Sequence, residues 1–283
     1  MLQSIEGTTQ MEPKPPPGRG RRMPRDAARK VLAGSSGLVA FALAWELIAR
    51  VSGITESTFP RALTVLGAML GLLTDTDFLT AVGETIWSSS LGLVLALVIG
   101  VPLGVAMGSS PATYRATNTL VETIRPVPAV ALIPAALLVF GVGLQFKVFL
   151  VTFTVTWTIL LNTIYAVRDV DPLLKETARS FGFSRSQVIT RVVLPSAAPF
   201  IYTGVRIGAV AALLVTVAAE LLAGGSGGLG QWLSRQQNAV TLNHLVYAGA
   251  LLSGIVGVTI NLVLDRGERR FFGWHASVRG VSG

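Results

Sequence analysis

The chain has 283 residues, of which 51% are hydrophobic and 13% charged, and its mean hydropathy of +0.61 is far above what a soluble domain of this length requires. It therefore reads as an integral membrane protein. A net charge of +8 comes with no cysteine and only two histidines, His244 and His275, which excludes disulfides, thiolate chemistry and most metal cages.

Residues 1–30 are rich in Pro, Gly and Arg, with PKPPPGRGRR at their centre, and carry too little apolar surface to order themselves, so a disordered basic tail is expected there. Arg21 and Arg22 hint at a twin-arginine signal. The apolar run that follows continues to Ile48 and leads into no globular domain, so no cleaved signal is expected. The first span is read as Val31–Ala49. Glu46 near its far end would cost about 3 kcal/mol at mid-bilayer, and is expected at the interface or against protein. Between Thr58 and Thr80, Leu63, Leu66, Leu70 and Leu73 form one stripe, which reads as an interfacial helix.

The second span, Ile86–Met107, repeats a small residue every fourth position: Gly92, Ala96, Gly100, Gly104 and Gly108. One helix face is then nearly bare, and another helix can approach it closely. Pro102 is expected to kink this span. A short polar loop leads to a third span, Val127–Phe140, whose Pro126, Pro128 and Pro134 predict an irregular backbone that must be buried in protein or line a cavity. The fourth span, Phe146–Val167, is helical by length. Thr152 with Thr156, and Thr154 with Thr158, are read as two adjacent hydroxyl stripes that could line a solute path with Asn162, or could bond the carbonyls of their own helix.

Residues 168–195 interrupt the apolar pattern with a charged stretch. Asp171 can cap a helix opened by Pro172, and Gly182 sits where that helix would end. Ser184 and Gln187 have capping-box spacing, and Pro195 opens the next apolar segment. On the first of these helices Leu174, Ala178 and Phe181 share a face; on the second, Val188 and Val192 are one turn apart. The fifth span, Pro199–Leu222, holds Arg206 and Glu220, which lie roughly 21 Å apart along the axis and cannot pair within one helix. Each is a candidate for solute contact or for a structural ion pair. The following loop contains a literal G-x-G-x-x-G at Gly225, Gly227 and Gly230. No strand precedes it, so a nucleotide site is rejected. The sixth span, Leu245–Leu264, repeats the small-residue device at Gly249, Ser253 and Gly257, and ends in the basic, aromatic DRGERRFFGWH.

Six spans place both termini on one side. Eighteen Lys and Arg lie in the tail, the loop holding Arg115 and Arg125, the 168–195 loop and the C-terminus, against Arg50, Arg61, Lys147 and Arg235 on the other side. The positive-inside rule makes the first side cytoplasmic. The chain contains no G-x-x-x-x-G-K-[ST], no nucleophile with its base and no paired carboxylates, so neither a catalytic centre nor a bound cofactor or metal is expected, and any ATP use belongs to a partner.

Glu176, Thr177, Ala178, Gly182, Val192, Leu194 and Pro195 together resemble the EAA motif of the membrane subunits of ATP-binding-cassette importers. Thr177 stands where that family usually has its first Ala, and Val192 where it has Ile. RPVPAVALIPAALLVFGVG resembles the third-helix signature of the branch that transports nitrate, sulfonates and taurine, and the likeness continues through LLNTIYAVRDVD and ERRFFGWH. The resemblance implies an all-α, six-helix, type I importer permease in a prokaryotic plasma membrane. It also implies a coupling loop at 168–195 within a permease domain at 31–283, an ATPase subunit, a second permease copy in a homodimer and an extracytoplasmic solute-binding protein. Membrane lipid surrounds such a chain, and no nucleic-acid partner is implied. The alternative is a secondary transporter or channel in which the EAA-like loop is accidental.

Overall fold

The computed structural model describes residues 25–272 except 52, 54, 57, 226 and 240–242, with side chains from residue 36 onward apart from 38. No strand occurs among the described residues. That suits the solvent, because in lipid each backbone N–H and C=O must be satisfied within the protein, and a helix does so within its own segment. Helix α1, Arg25–Val51, already includes residues 25–30, which were expected in the tail; the rest of that tail lies outside the described residues. Glu46 is not stranded in the bilayer. It accepts from Arg50 Nε (2.8 Å) and from the backbone N–H of Ala62 (3.0 Å), the first residue of α2 (Ala62–Leu72). The leucine stripe of α2 points outward, while Val65 and Leu72 are buried.

Helix α3, Thr76–Ser109, begins with Asp75 accepting from Phe78 N–H at 2.9 Å and runs through Pro102 as one element. It is longer than the expected span because this cap lies well before Ile86. Where a short polar loop was expected, Pro111–Ile124 forms a helix, α4, capped by Ser110. A 3-10 turn at Ala129–Leu132 and helix α5, Ile133–Phe140, follow at 77° to α4, so the proline-rich stretch is a broken segment, as its prolines imply.

Helix α6, Leu144–Asp169, is the centre of the bundle, packed between α3 and α9 (Leu194–Ala223). The bare face of α3 is what lets it approach. A Cβ added at Gly92 would sit 2.5 Å from Val151 Cβ, and one at Gly104 2.5 Å from Thr163 Cβ. On the other flank, Gly204 lies against Asn162 and Gly208 against Val155. The bundle is thus held by backbone-to-backbone proximity, which in lipid supplies the packing that hydrophobic exclusion cannot. At the Glu220 end, α10 (Leu229–Asn238) packs against α11 (Asn243–Phe271), α9 and the start of α3, with Trp232 edge-on to Phe78 at 5.0 Å and Gly249 giving Trp232 room.

Large apolar side chains such as Val98, Leu103, Leu214 and Val258 remain exposed on the outside, as lipid contact requires. By length and composition α3, α6, the continuous 185–223 helix and α11 can each cross a membrane, and the bent 111–140 pair makes a fifth if its two halves form one span. With 27 residues, or about 40 Å, α1 is the remaining helix of spanning length.

Candidate functional site

The 168–195 loop is built by its local sequence. Asp171 Oδ1 accepts from Leu173 N–H (2.8 Å) and opens helix α7, Pro172–Ser180. At its other end Phe183 N–H reaches Ala178 O (3.1 Å) and Gly182 N–H reaches Arg179 O (2.9 Å), the paired bonds of a Schellman cap, with Gly182 at φ +82°. Ser184 and Gln187 form the capping box that starts α8, Arg185–Val188. The chain then departs from expectation. Instead of a second separate helix, α8 passes through a π turn at Ile189–Val193 straight into α9, so Pro195 and Pro199 lie inside one long helical run. The widened turn precedes Pro195, which has no N–H to give and whose ring crowds the preceding turn.

Burial divides the loop into two faces. Ala178, Val188 and Val193 pack with Ala166, Val167 and Val170 at the end of α6, with Val192 and Leu194 half-buried beside them. Glu176, Thr177, Gly182 and Pro195 are exposed. The expected common face of α7 is split, since Ala178 turns inward while Leu174 and Phe181 are exposed, Phe181 by 79%; Leu173 is exposed as well. An apolar patch rimmed by polar groups is thus presented at this end of the bundle.

Along α6 runs a cavity of about 390 Å³, lined by Phe153, Thr154, Trp157, Thr158, Leu161, Asn162 and Tyr165, with Arg125 and Val127 from the segment joining α4 to the 3-10 turn. A neighbouring cavity of about 490 Å³ shares Asn162 and Tyr165 and extends to Arg168, Asp169, Phe200 and Thr203. The two threonine stripes are not adjacent. Positions two apart on a helix differ by about 200°, so Thr154 and Thr158 line the cavity while Thr152 and Thr156 turn the other way. Thr152 Oγ1 donates to Gly92 O across the helix pair (3.3 Å) and Thr156 Oγ1 to Thr152 O (2.6 Å). Of the pathway candidates Thr152, Thr156, Asn162, Arg206 and Glu220, only Asn162 lines either of these two cavities. Trp157 Nε1 in the same wall is buried without a hydrogen-bond partner.

Arg206 and Glu220 are engaged elsewhere. Arg206 ties α9 to α11, donating to Asn261 (3.0 Å), Asp265 (3.0 Å) and Glu268 (2.9 Å). Glu220 is wholly buried and accepts from Lys147 Nζ (2.9 Å), Thr85 Oγ1 (2.8 Å) and Gly230 N–H (3.0 Å), while Thr85 Oγ1 accepts from Leu229 N–H (2.8 Å). The glycine-rich loop therefore wraps a carboxylate of its own chain. Sequence reading counted Lys147 among the loop charges and missed its role. The available signal was a lone Lys at the start of one apolar helix and a lone Glu near the end of another, each needing a partner of opposite sign.

The taurine transport system permease protein TauC of Escherichia coli (strain K12) is 30% identical over 260 residues, covering 89% of this chain and 93% of that protein. A putative ABC transporter permease protein of Methanocaldococcus jannaschii, MJ0413, is 34% identical over 174 residues, 59% of this chain and 63% of its own length. The fold is shared with the MetNI methionine ABC transporter in an inward-facing conformation, with a TM-score of 0.62 at 22% identity over 68% of this chain and 94% of that one. Residues 96–272 match the binding-protein-dependent transport system inner membrane component, and with well over half of its length so matched the chain belongs to that family, as an ABC importer permease, a transport subunit and not an enzyme.

Proposed function

We propose that two copies of this chain form the solute path of an importer driven by a separate ATPase and supplied by an external binding protein, and that the solute is a small oxyanion of the taurine, sulfonate or nitrate kind. The observation carrying the solute class is the α6 cavity. Arg125 offers a permanent cation, Tyr165, Thr158 and the second amide hydrogen of Asn162 offer donors, and no carboxylate lines it. The Thr154 hydroxyl is engaged with Leu150 O (2.9 Å), and the other Asn162 amide hydrogen with Thr158 O (2.8 Å). Phe153 and Trp157 suit a short carbon skeleton attached to the anionic head. The taurine permease among the relatives supports the same class.

The 168–195 loop is the coupling element of this reading. Glu176, Thr177, Leu173 and Phe181 form the surface offered to the ATPase, and the π turn passes its displacement directly into α9. The excess of basic residues on this side supports a cytoplasmic position for this loop and both termini. The solute crosses without covalent change, and no ATP or other cofactor is held by this chain.

Proteoliposomes containing the chain and its ATPase test the reading. Taurine or nitrate uptake should require internal ATP and the external binding protein, and Arg125→Gln should lower it about tenfold, the weight of one charge-assisted hydrogen bond, without loss of the co-purified ATPase. Flux in the absence of the ATPase would instead establish a channel or secondary transporter.

A further inference from the structure

Where α3 gives way to α4, a cavity of about 570 Å³ separates that junction from the inner side of the 168–195 loop. Its charged lining has one sign. Lys175 and Arg179 of α7 and Arg185 of α8 face Ser109 and Ser110, and no carboxylate is among the lining residues. Lys175 and Arg179 are four residues apart and share a helix face, so their charges are held together by the helix itself. Lys175 Nζ donates to Val167 O (3.1 Å). Neither the Arg179 nor the Arg185 guanidinium has a hydrogen-bond or ion-pair partner among the described residues. Burial, and after it the Arg179 charge, holds the Lys175 amine below the ordinary lysine range, with the carboxylate of Asp171 opposing. The C-terminal end of α3 and the N-terminal end of α4 meet here with opposite dipoles, which leaves the side chains to set the sign of the potential.

We propose that this pocket binds a phosphate group, carried by an anionic phospholipid or present as free phosphate, and that the bound group ties the 168–195 loop to the α3–α4 junction. Two guanidinium forks and an ammonium suit an anion with several oxygens around one centre. The pocket lies at the ends of the membrane helices α3 and α6, the level at which lipid headgroups sit, and basic pockets between membrane helices commonly receive them. Its remaining wall includes Val167, Val188 and Val193 from the buried cluster of the loop, so it belongs to the face turned toward the bundle. The outward face is the one carrying Leu173 and Phe181. The inference goes beyond the transport reading and does not depend on which solute is carried.

The test uses the full chain with its ATPase, purified in detergent and offered phosphatidylglycerol, phosphatidylcholine or inorganic phosphate. Binding is followed by native mass spectrometry and by the shift in melting temperature. Retention of phosphatidylglycerol over phosphatidylcholine, weakened about fivefold by each of Lys175→Gln, Arg179→Gln and Arg185→Gln and unaffected by Arg115→Gln outside the pocket, establishes a lipid site. Stabilisation by inorganic phosphate, lost in the same three variants, establishes a soluble-anion site. If none of the probes binds, the proposal is overturned; loss of the ATPase from Arg179→Gln and Arg185→Gln in that case would show that these arginines pair with ATPase carboxylates.

Discussion

Lys147 Nζ on α6 lies 2.9 Å from Glu220 Oε1 on α9, and both side chains are buried. Thr85 of α3 and the N–H of Gly230 complete the carboxylate's partners, so one acidic group joins α3, α6, α9 and the start of α10. Removing one member of such a pair leaves the other charge buried and uncompensated, a loss of about 3 to 5 kcal/mol. Lys147→Met should therefore lower the melting temperature in detergent sharply, and adding Glu220→Gln to it should restore part of the loss. A double variant as unstable as the sum of the single variants would show that the two groups do not interact.

The contact of α3 with α6 is set by absent side chains. Gly104→Leu should drive the helices apart, because even a Cβ there would meet Thr163 at 2.5 Å and the carbonyl of Leu160 at 3.0 Å. Gly67→Leu on α2, where a Cβ would meet nothing within 4 Å among the described residues, serves as the matched control. Fluorescence size-exclusion profiles of the two variants should show loss of the monodisperse peak only for Gly104→Leu. An unchanged Gly104→Leu profile would contradict the tight packing.

Gly182→Val should uncouple transport while leaving insertion intact. The residue has φ +82° and its Cβ would meet no atom within 4 Å among the described residues, so the cost is backbone strain of about 1 to 3 kcal/mol in the Schellman cap. The apolar spans that direct insertion are untouched. Gly182→Ala should be milder, having no β-branch. Membrane abundance, ATPase co-purification and uptake are the measurements; normal uptake by Gly182→Val would remove the loop from the coupling path.

Sidedness is checked by placing single cysteines in a chain that has none. Ser184→Cys should react with an impermeant thiol reagent from the cytoplasmic side only, and Asn238→Cys, at the end of α10, from the outside only. The reverse pattern would overturn the charge-based orientation.

Features that depend on near neighbours and on the solvent are legible in the residue order alone. Helicity follows from a backbone in lipid, the bare face of α3 from a four-residue spacing of small residues, and the caps at Asp171, Gly182 and Ser184 from side chains bonding amides two or three positions away or from a backbone that only Gly adopts easily. Tertiary structure alone decided how α6 is rotated. That rotation turns Thr152 toward Gly92 and Thr154 toward the cavity, brings Lys147 to Glu220 across 73 residues of chain, and puts Asn162 in the wall of the same cavity as Arg125. None of these is readable from spacing, because a helix with polar groups on two faces offers each face equally well until the glycines of α3 and α9 fix which one is covered. The π turn before Pro195 has a local cause in that residue's missing N–H, but what lets the chain tolerate it is tertiary. Its cost is offset by burial of Val188 and Val193 against the end of α6, a contact that exists only in the folded bundle.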